Sequence, residues 1–290
     1  MALAIIDAHV HIWKTDDILY PASPVLASLP QPGPTAEVLL REMAANGVDQ
    51  TVLVQPSNYE FDNRYIARTL QRYPERFAGV ARIDVVDASA PQRLERWAEE
   101  HGLHGLRVAP FRILQGAWLT NPAFYPLWQK AAALSLPVCF QISGGRLKAL
   151  CGYLEPLIVR FPELRVVLDH MGHFEVEKGV ADPGFQALLA LARHERVVIK
   201  ISGHYALSHD PYPYRDTWPF IQAIYEHFGA QRMMWGSDFP FILVYGGYAQ
   251  SLELIREQLP FLTDDDKSRI LGGTATALWP IPPRANDQKG

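Results

Sequence analysis

Eight short apolar runs, each followed by a longer amphipathic stretch, constrain this chain more than any other feature. The runs cover residues 4–7, 50–55, 77–83, 105–108, 138–142, 165–169, 197–202 and 233–237. Helical patterns fall between and after them, over residues 36–46, 63–73, 91–101, 122–134, 147–161, 183–192, 219–228 and 249–259. Alternation of this kind builds a parallel sheet with crossover helices. A run such as Val166-Val167-Leu168 is apolar throughout, as a strand covered on both faces must be. Eight units favour closure into an α/β (β/α)8 TIM barrel, and 290 residues suit one such domain over residues 1–279. Gly47 and Gly102 follow helix ends, where a left-handed residue terminates the last turn. Residues 264–271 and 274–278 read as closing helices, and the proline-containing tail 280–290 as flexible.

Composition narrows the partners. Apolar residues make up 48%, enough for a large core, and the net charge of −4 offers no broad basic face. Nucleic acid and acidic membrane surfaces are therefore not expected as partners. Residues 1–6 lack a basic flank and are cut short by Asp7, so a secretory signal is not expected. No run approaches the ~20 apolar residues of a membrane helix. Cys139 and Cys151 sit in apolar contexts and read as buried free thiols of a reducing compartment. The expectation is a soluble cytoplasmic enzyme acting on a small molecule; its oligomeric state is not legible.

Polar residues gather where the strands stop. His9 and His11 follow the first run, Arg107 the fourth, His170 the sixth and Asp238 the eighth. Two histidines at i and i+2 on a strand face one side, roughly 7 Å apart. In a closed barrel the last strand lies beside the first, so Asp238 approaches them from more than two hundred positions away. Any single histidine at a strand end is more often a hydrogen-bonded structural residue. Convergence of four such groups on the face where barrel enzymes build their sites shifts the balance to catalysis. Arg107 and Arg112 are candidate clamps for a substrate carboxylate. Tyr59 and Ser202 are candidate substrate contacts, and Trp13 a candidate pocket wall. The long proline-containing loop at 14–34 reads as a partial cover. No Gly-x-Ser-x-Gly elbow or phosphate loop is present.

Three segments carry a family resemblance: Asp7-Ala8-His9-Val10-His11, Leu168-Asp169-His170-Met171-Gly172, and Trp235-Gly236-Ser237-Asp238-Phe239-Pro240. With Val54-Gln55-Pro56, Gly105-Leu106-Arg107 and Ile270-Leu271-Gly272-Gly273, the chain resembles the amidohydrolase superfamily. More narrowly it resembles the family 2 branch that includes 2-pyrone-4,6-dicarboxylate lactonase and sugar lactonases. The resemblance implies a barrel hydrolase that opens a small cyclic ester, carboxylated or derived from a sugar acid. In such a lactonase Asp238 would act as general base and proton shuttle, and His9, His11 and His170 would polarise the carbonyl. His9, His11, His170 and Asp238 also form a possible zinc set. Relatives that use metal place a ligand at the end of strand five, where this chain has Gln141, a poor ligand, and no lysine that could bridge two metals. A metal-free site is therefore favoured, with a single divalent ion such as zinc as the alternative. The competing functions are a metal-dependent amide hydrolase, a nonoxidative decarboxylase, a lactone isomerase, and a silent binding protein.

Overall fold

The structure is a computed structural model that describes residues 4–14, 33–113, 115–142, 145–279 and 281–282. Most of the expected loop at 14–34 and of the tail at 280–290 lies outside the described residues. Eight parallel strands form the centre: β1 (Ile6–Val10), β2 (Gln50–Val54), β3 (Phe77–Val80), β4 (Leu106–Val108), β5 (Val138–Phe140), β6 (Val166–Leu168), β7 (Val197–Ile201) and β8 (Met233–Trp235). They pair in sequence order as β1-β2-β3 and β4-β5-β6-β7-β8. Backbone hydrogen bonds join both seams. Ala81 donates to Gly105 and receives from Arg107 on one side; His11 donates to Phe239 and Asp238 donates to His9 on the other. The ring is therefore a (β/α)8 barrel.

Helices follow the strands much as the apolar periodicity requires. The first covers Ala36–Asn46, opened by the Thr35 side chain accepting from Val38 N–H and ended by Gly47 at φ 67°. The long helix Leu147–Arg160 buries Leu147, Leu150, Cys151, Leu154, Leu157 and Ile158, a spacing that lines one face. Both cysteines are free and buried. No helix among the described residues is long and apolar enough to cross a membrane.

One strand departs from expectation in a way that matters. β1 runs over Ile6–Val10, not 4–7, because Asp7 does not end it. Its carboxylate is fully buried but accepts from Ser237 N–H (2.9 Å), His9 N–H (3.1 Å) and the Tyr248 hydroxyl (2.8 Å). A buried charge with that many donors is tolerated inside a barrel wall. The pairing with β2 also slips between Asp7 and Val10. Ile6 and Ala8 belong to the barrel's inner cluster, whereas Val10 packs in the outer layer beneath the helices. The slip turns His9 inward as well, the local re-aiming that a bulge provides. Most other strands end one to three residues earlier than the apolar runs, since their last residues leave the ladder to build the site.

Candidate active site

The catalytic face is made by short departures from regular structure at strand ends. After β6 the chain enters a turn at Asp169–His173, in which His170, Met171 and Gly172 have φ of 51°, 52° and 70°. Positive φ at three non-glycine residues, His170, Met171 and His173 (48°), costs roughly 1–2 kcal/mol each and persists only where surroundings over-determine it. Here it swings His170 over the barrel mouth. After β7, Gly203 takes φ 70°, and a Cβ there would lie 2.9 Å from His170 Nδ1. After β8, Asp238 itself sits at φ 60° with its N–H bonded to the His9 carbonyl.

These turns bring the four expected groups together. Asp238 Oδ1 lies 3.7 Å from His9 Nε2 and 3.6 Å from His11 Nε2. The His9 and His170 ring centres are 4.5 Å apart. Asp238 Oδ2 accepts from the Tyr205 hydroxyl at 2.5 Å, while Oδ1 is buried without a hydrogen-bond partner. His11 Nδ1 meets the Val54 carbonyl at 2.7 Å, and its Nε2 is 3.2 Å from His9 Nε2. His170 Nδ1 lies 2.9 Å from Ser202 Oγ. A cavity of about 430 Å³ opens over this cluster, walled by His11, Arg107, His170 and Asp238, with Trp13 and Phe241 as its apolar side.

Below the imidazoles lies an ion cluster that is nearly sealed from solvent. Asp169 Oδ2 accepts from Arg107 Nε at 3.0 Å, and its Oδ1 is 3.1 Å from Lys200 Nζ. Lys200 is fully buried on β7 and also reaches His9 Nδ1 at 3.1 Å. Burial works against ionised Asp169, but Lys200, His9 and Arg107 hold its carboxyl well below the ordinary range. Burial lowers the imidazoles: His11 to about 4, His170 to about 3 and His173 to about 4. His9 is lowered too, first by burial and then by Lys200. All four are neutral near pH 7. Burial, then Asp238, raises Tyr205, which keeps its proton for Asp238.

The remaining candidates separate. Arg107 forms part of the cavity wall. Ser202 stands behind His170 rather than on the wall. Tyr59 is buried, and its hydroxyl donates to the Lys14 carbonyl and accepts from the Lys14 N–H, both at 2.7 Å. Arg112 is exposed on the short helix Pro110–Ile113 and does not line the cavity. Asp169 and Tyr205 were missed from the sequence. Asp169 hid in the motif beside His170, and Tyr205 lies beyond a strand end in a four-residue helix, His204–Leu207.

His9, His170 and Asp238 place ligand atoms within 4.8 Å of one another and form a cluster that could hold a metal ion. His11 is not part of that set. An imidazole that ligates metal ordinarily gives its other N–H to a carboxylate or carbonyl. His9 Nδ1 lies 3.1 Å from the Lys200 ammonium and 3.4 Å from the Asp169 carboxylate, so a cation crowds the position that a metal's second shell ordinarily gives to the carboxylate alone.

Proteins similar to this chain include lactone hydrolases. The chain is 28% identical over 290 residues to an L-fucono-1,5-lactonase from Burkholderia ambifaria, covering 98% of each chain. It is 26% identical to a 4-sulfomuconolactone hydrolase from Rhizobium radiobacter, over 81% of this chain and 75% of that protein. An amidohydrolase from Burkholderia multivorans, crystallised with bound HEPES, superposes with a TM-score of 0.78 at 23% identity, over 96% of this chain and all of that one. The amidohydrolase family model matches residues 6–281, and the chain belongs to the amidohydrolase family.

Proposed function

We propose that this protein hydrolyses a small lactone and that Asp238 is its general base. The observation that carries the proposal is the unpaired Oδ1 of Asp238, a buried carboxylate oxygen without a hydrogen-bond partner on a residue that lines the cavity. Tyr205 occupies the other oxygen, which leaves Oδ1 the acceptor for a water proton. The water oxygen adds to the lactone carbonyl carbon as Asp238 takes its proton. Charge gathers on the carbonyl oxygen, where His170 Nε2 and the terminal nitrogens of Arg107 are the available donors. The ring C–O bond then breaks, and Asp238 returns the proton to the departing ring oxygen. His9 and His11 direct nitrogens at each other, His9 behind the cavity wall and His11 within it, and serve this step as its scaffold. The polarising role assigned to them from sequence passes to His170 and Arg107.

The charges at the site favour a neutral, hydroxylated lactone over a dicarboxylate. Within the buried cluster Lys200 and Arg107 balance Asp169 and Asp238, and the imidazoles are neutral. Asn58, Gln141 and Tyr205 on the cavity wall supply uncharged hydrogen-bonding groups for ring hydroxyls. The relatedness to an L-fucono-1,5-lactonase supports the same class. Ring opening releases an acid, so a panel of aldono-1,5-lactones, muconolactones and pyrone carboxylates can be read by pH indicator. Aldonolactones should be opened fastest, and Asp238→Asn should lower kcat by about 10²–10⁴ without unfolding the protein. A folded wild type inert to the whole panel, or an active Asp238→Asn variant, defeats the proposal.

A further inference from the structure

We propose that Lys200 holds His9 in the tautomer that carries its proton on Nε2 and so cannot ligate a metal through that nitrogen. Lysine is a donor only, and at 3.1 Å its ammonium needs a lone pair on His9 Nδ1. A proton on Nδ1 would set donor against donor in a place neither side chain can leave, since both are fully buried. The proton of the neutral ring therefore sits on Nε2. The next contact requires the same direction. The Val54 carbonyl can only accept, so His11 Nδ1 carries the proton and its Nε2 is bare, ready to accept from His9 Nε2 at 3.2 Å. Lys200, His9, His11 and the Val54 carbonyl thus form one chain of donors pointing a single way. Along that chain the Nε2 of His9 is protonated and the lone pair of His11 is already used.

The opposite tautomer has its acceptor in waiting. Asp169 Oδ1 lies 3.4 Å from His9 Nδ1, farther than the 3.1 Å that separates each of them from Lys200 Nζ. Without the ammonium, that carboxylate would take the proton of Nδ1, and the bare Nε2 would face Asp238 and His170 as a ligand. This is the carboxylate–histidine backing typical of metal centres. The ring stays neutral throughout; only the position of its one proton changes. Lys200 is in this sense a positioning residue for His9.

Neither test reads lactone turnover, so the result is independent of the proposed activity. Long-range ¹H–¹⁵N spectra of protein labelled at histidine, with His9 assigned by its loss in His9→Gln, should show a bare Nδ1 and a protonated Nε2. The reverse pattern in the wild type overturns the proposal without any Lys200 variant. Zinc titration of the folded protein supplies the second arm. Lys200→Met should bind Zn²⁺ at least about tenfold more tightly than wild type, in the range second-shell changes produce. Lys200→Arg, which keeps a donor, should bind it as weakly as wild type. A folded Lys200→Met with unchanged or weaker zinc affinity also overturns it.

Discussion

The division of labour within Asp238 is the finest feature of the site. One oxygen is bound at 2.5 Å by a phenol and the other is unpaired, so the side chain cannot exchange its two ends freely. Hydrogen bonds to charged groups contribute about 1.5–3 kcal/mol, and here much of that serves orientation. Tyr205→Phe removes the bond and almost nothing else, because the ring remains stacked on Tyr245 at 4.5 Å. The expected outcome is a fall in kcat of about tenfold, with a stability change under about 2 kcal/mol by denaturant titration. Unchanged kcat in a folded Tyr205→Phe would mean that the phenol does not orient the base. Lys200 and Asp169 show why part of this chemistry escapes a sequence reading. A lysine within Val197-Val198-Ile199-Lys200-Ile201 is conspicuous in an apolar strand, but its counter-ion is on β6 and its imidazole on β1. Only the closed ring reveals that three charges and a histidine share one sealed space.

At the scale of elements, the site depends on turns more than on strands. The barrel was legible because eight periodic units and their glycine stops each carry a local signal. The turns carry little: nothing in Asp169-His170-Met171-Gly172-His173 announces four consecutive residues of positive φ, which tertiary contacts impose. The end of β1 differs from expectation for a related reason, since Asp7 looks like a strand terminator until its donors, Ser237 N–H beyond β8 and the Tyr248 hydroxyl, are known. Convergence of His9, His11, His170 and Asp238 could still be foreseen, because strand order alone places their Cα atoms on one face. Tyr59 and Arg112 could not be placed, as loop direction has no comparable ruler. Gly203 tests how far the turns control the chemistry. An alanine there must hold φ near 70° and put its Cβ against the His170 ring. Gly203→Ala should cost roughly 1–2 kcal/mol from the backbone alone and lower kcat more than it raises KM, since the imidazole moves while the apolar wall at Trp13 and Phe241 stays. A loss confined to KM would place the disturbance in binding, contrary to this reading.

Across the whole molecule, packing so many imidazoles in a neutral state makes stability depend on pH in a definite direction. Unfolded histidine titrates near 6.5, whereas burial lowers His11 and His173 to about 4 and His170 and His204 to about 3 in the fold. Between those values the unfolded chain binds protons that the native barrel refuses, so stability is full above about pH 7 and declines as pH falls toward 4. Asp7 works the other way. Burial raises it to about 6, so the fold keeps a proton that the unfolded chain releases, and this group alone adds stability as pH drops from 6 toward 3.8. One carboxylate cannot offset four histidines. Each net proton taken up on unfolding contributes about 1.4 kcal/mol per pH unit, so the slope should exceed that figure between pH 6 and 4.5. Below the ordinary aspartate range, the depressed Asp169 adds a further loss as its ion pairs with Lys200 and Arg107 are protonated away. Urea unfolding at a series of pH values measures the slope directly. A midpoint that stays level or rises between pH 6 and 4.5 would mean that the native barrel takes up as many protons in that window as the unfolded chain, contrary to this reading.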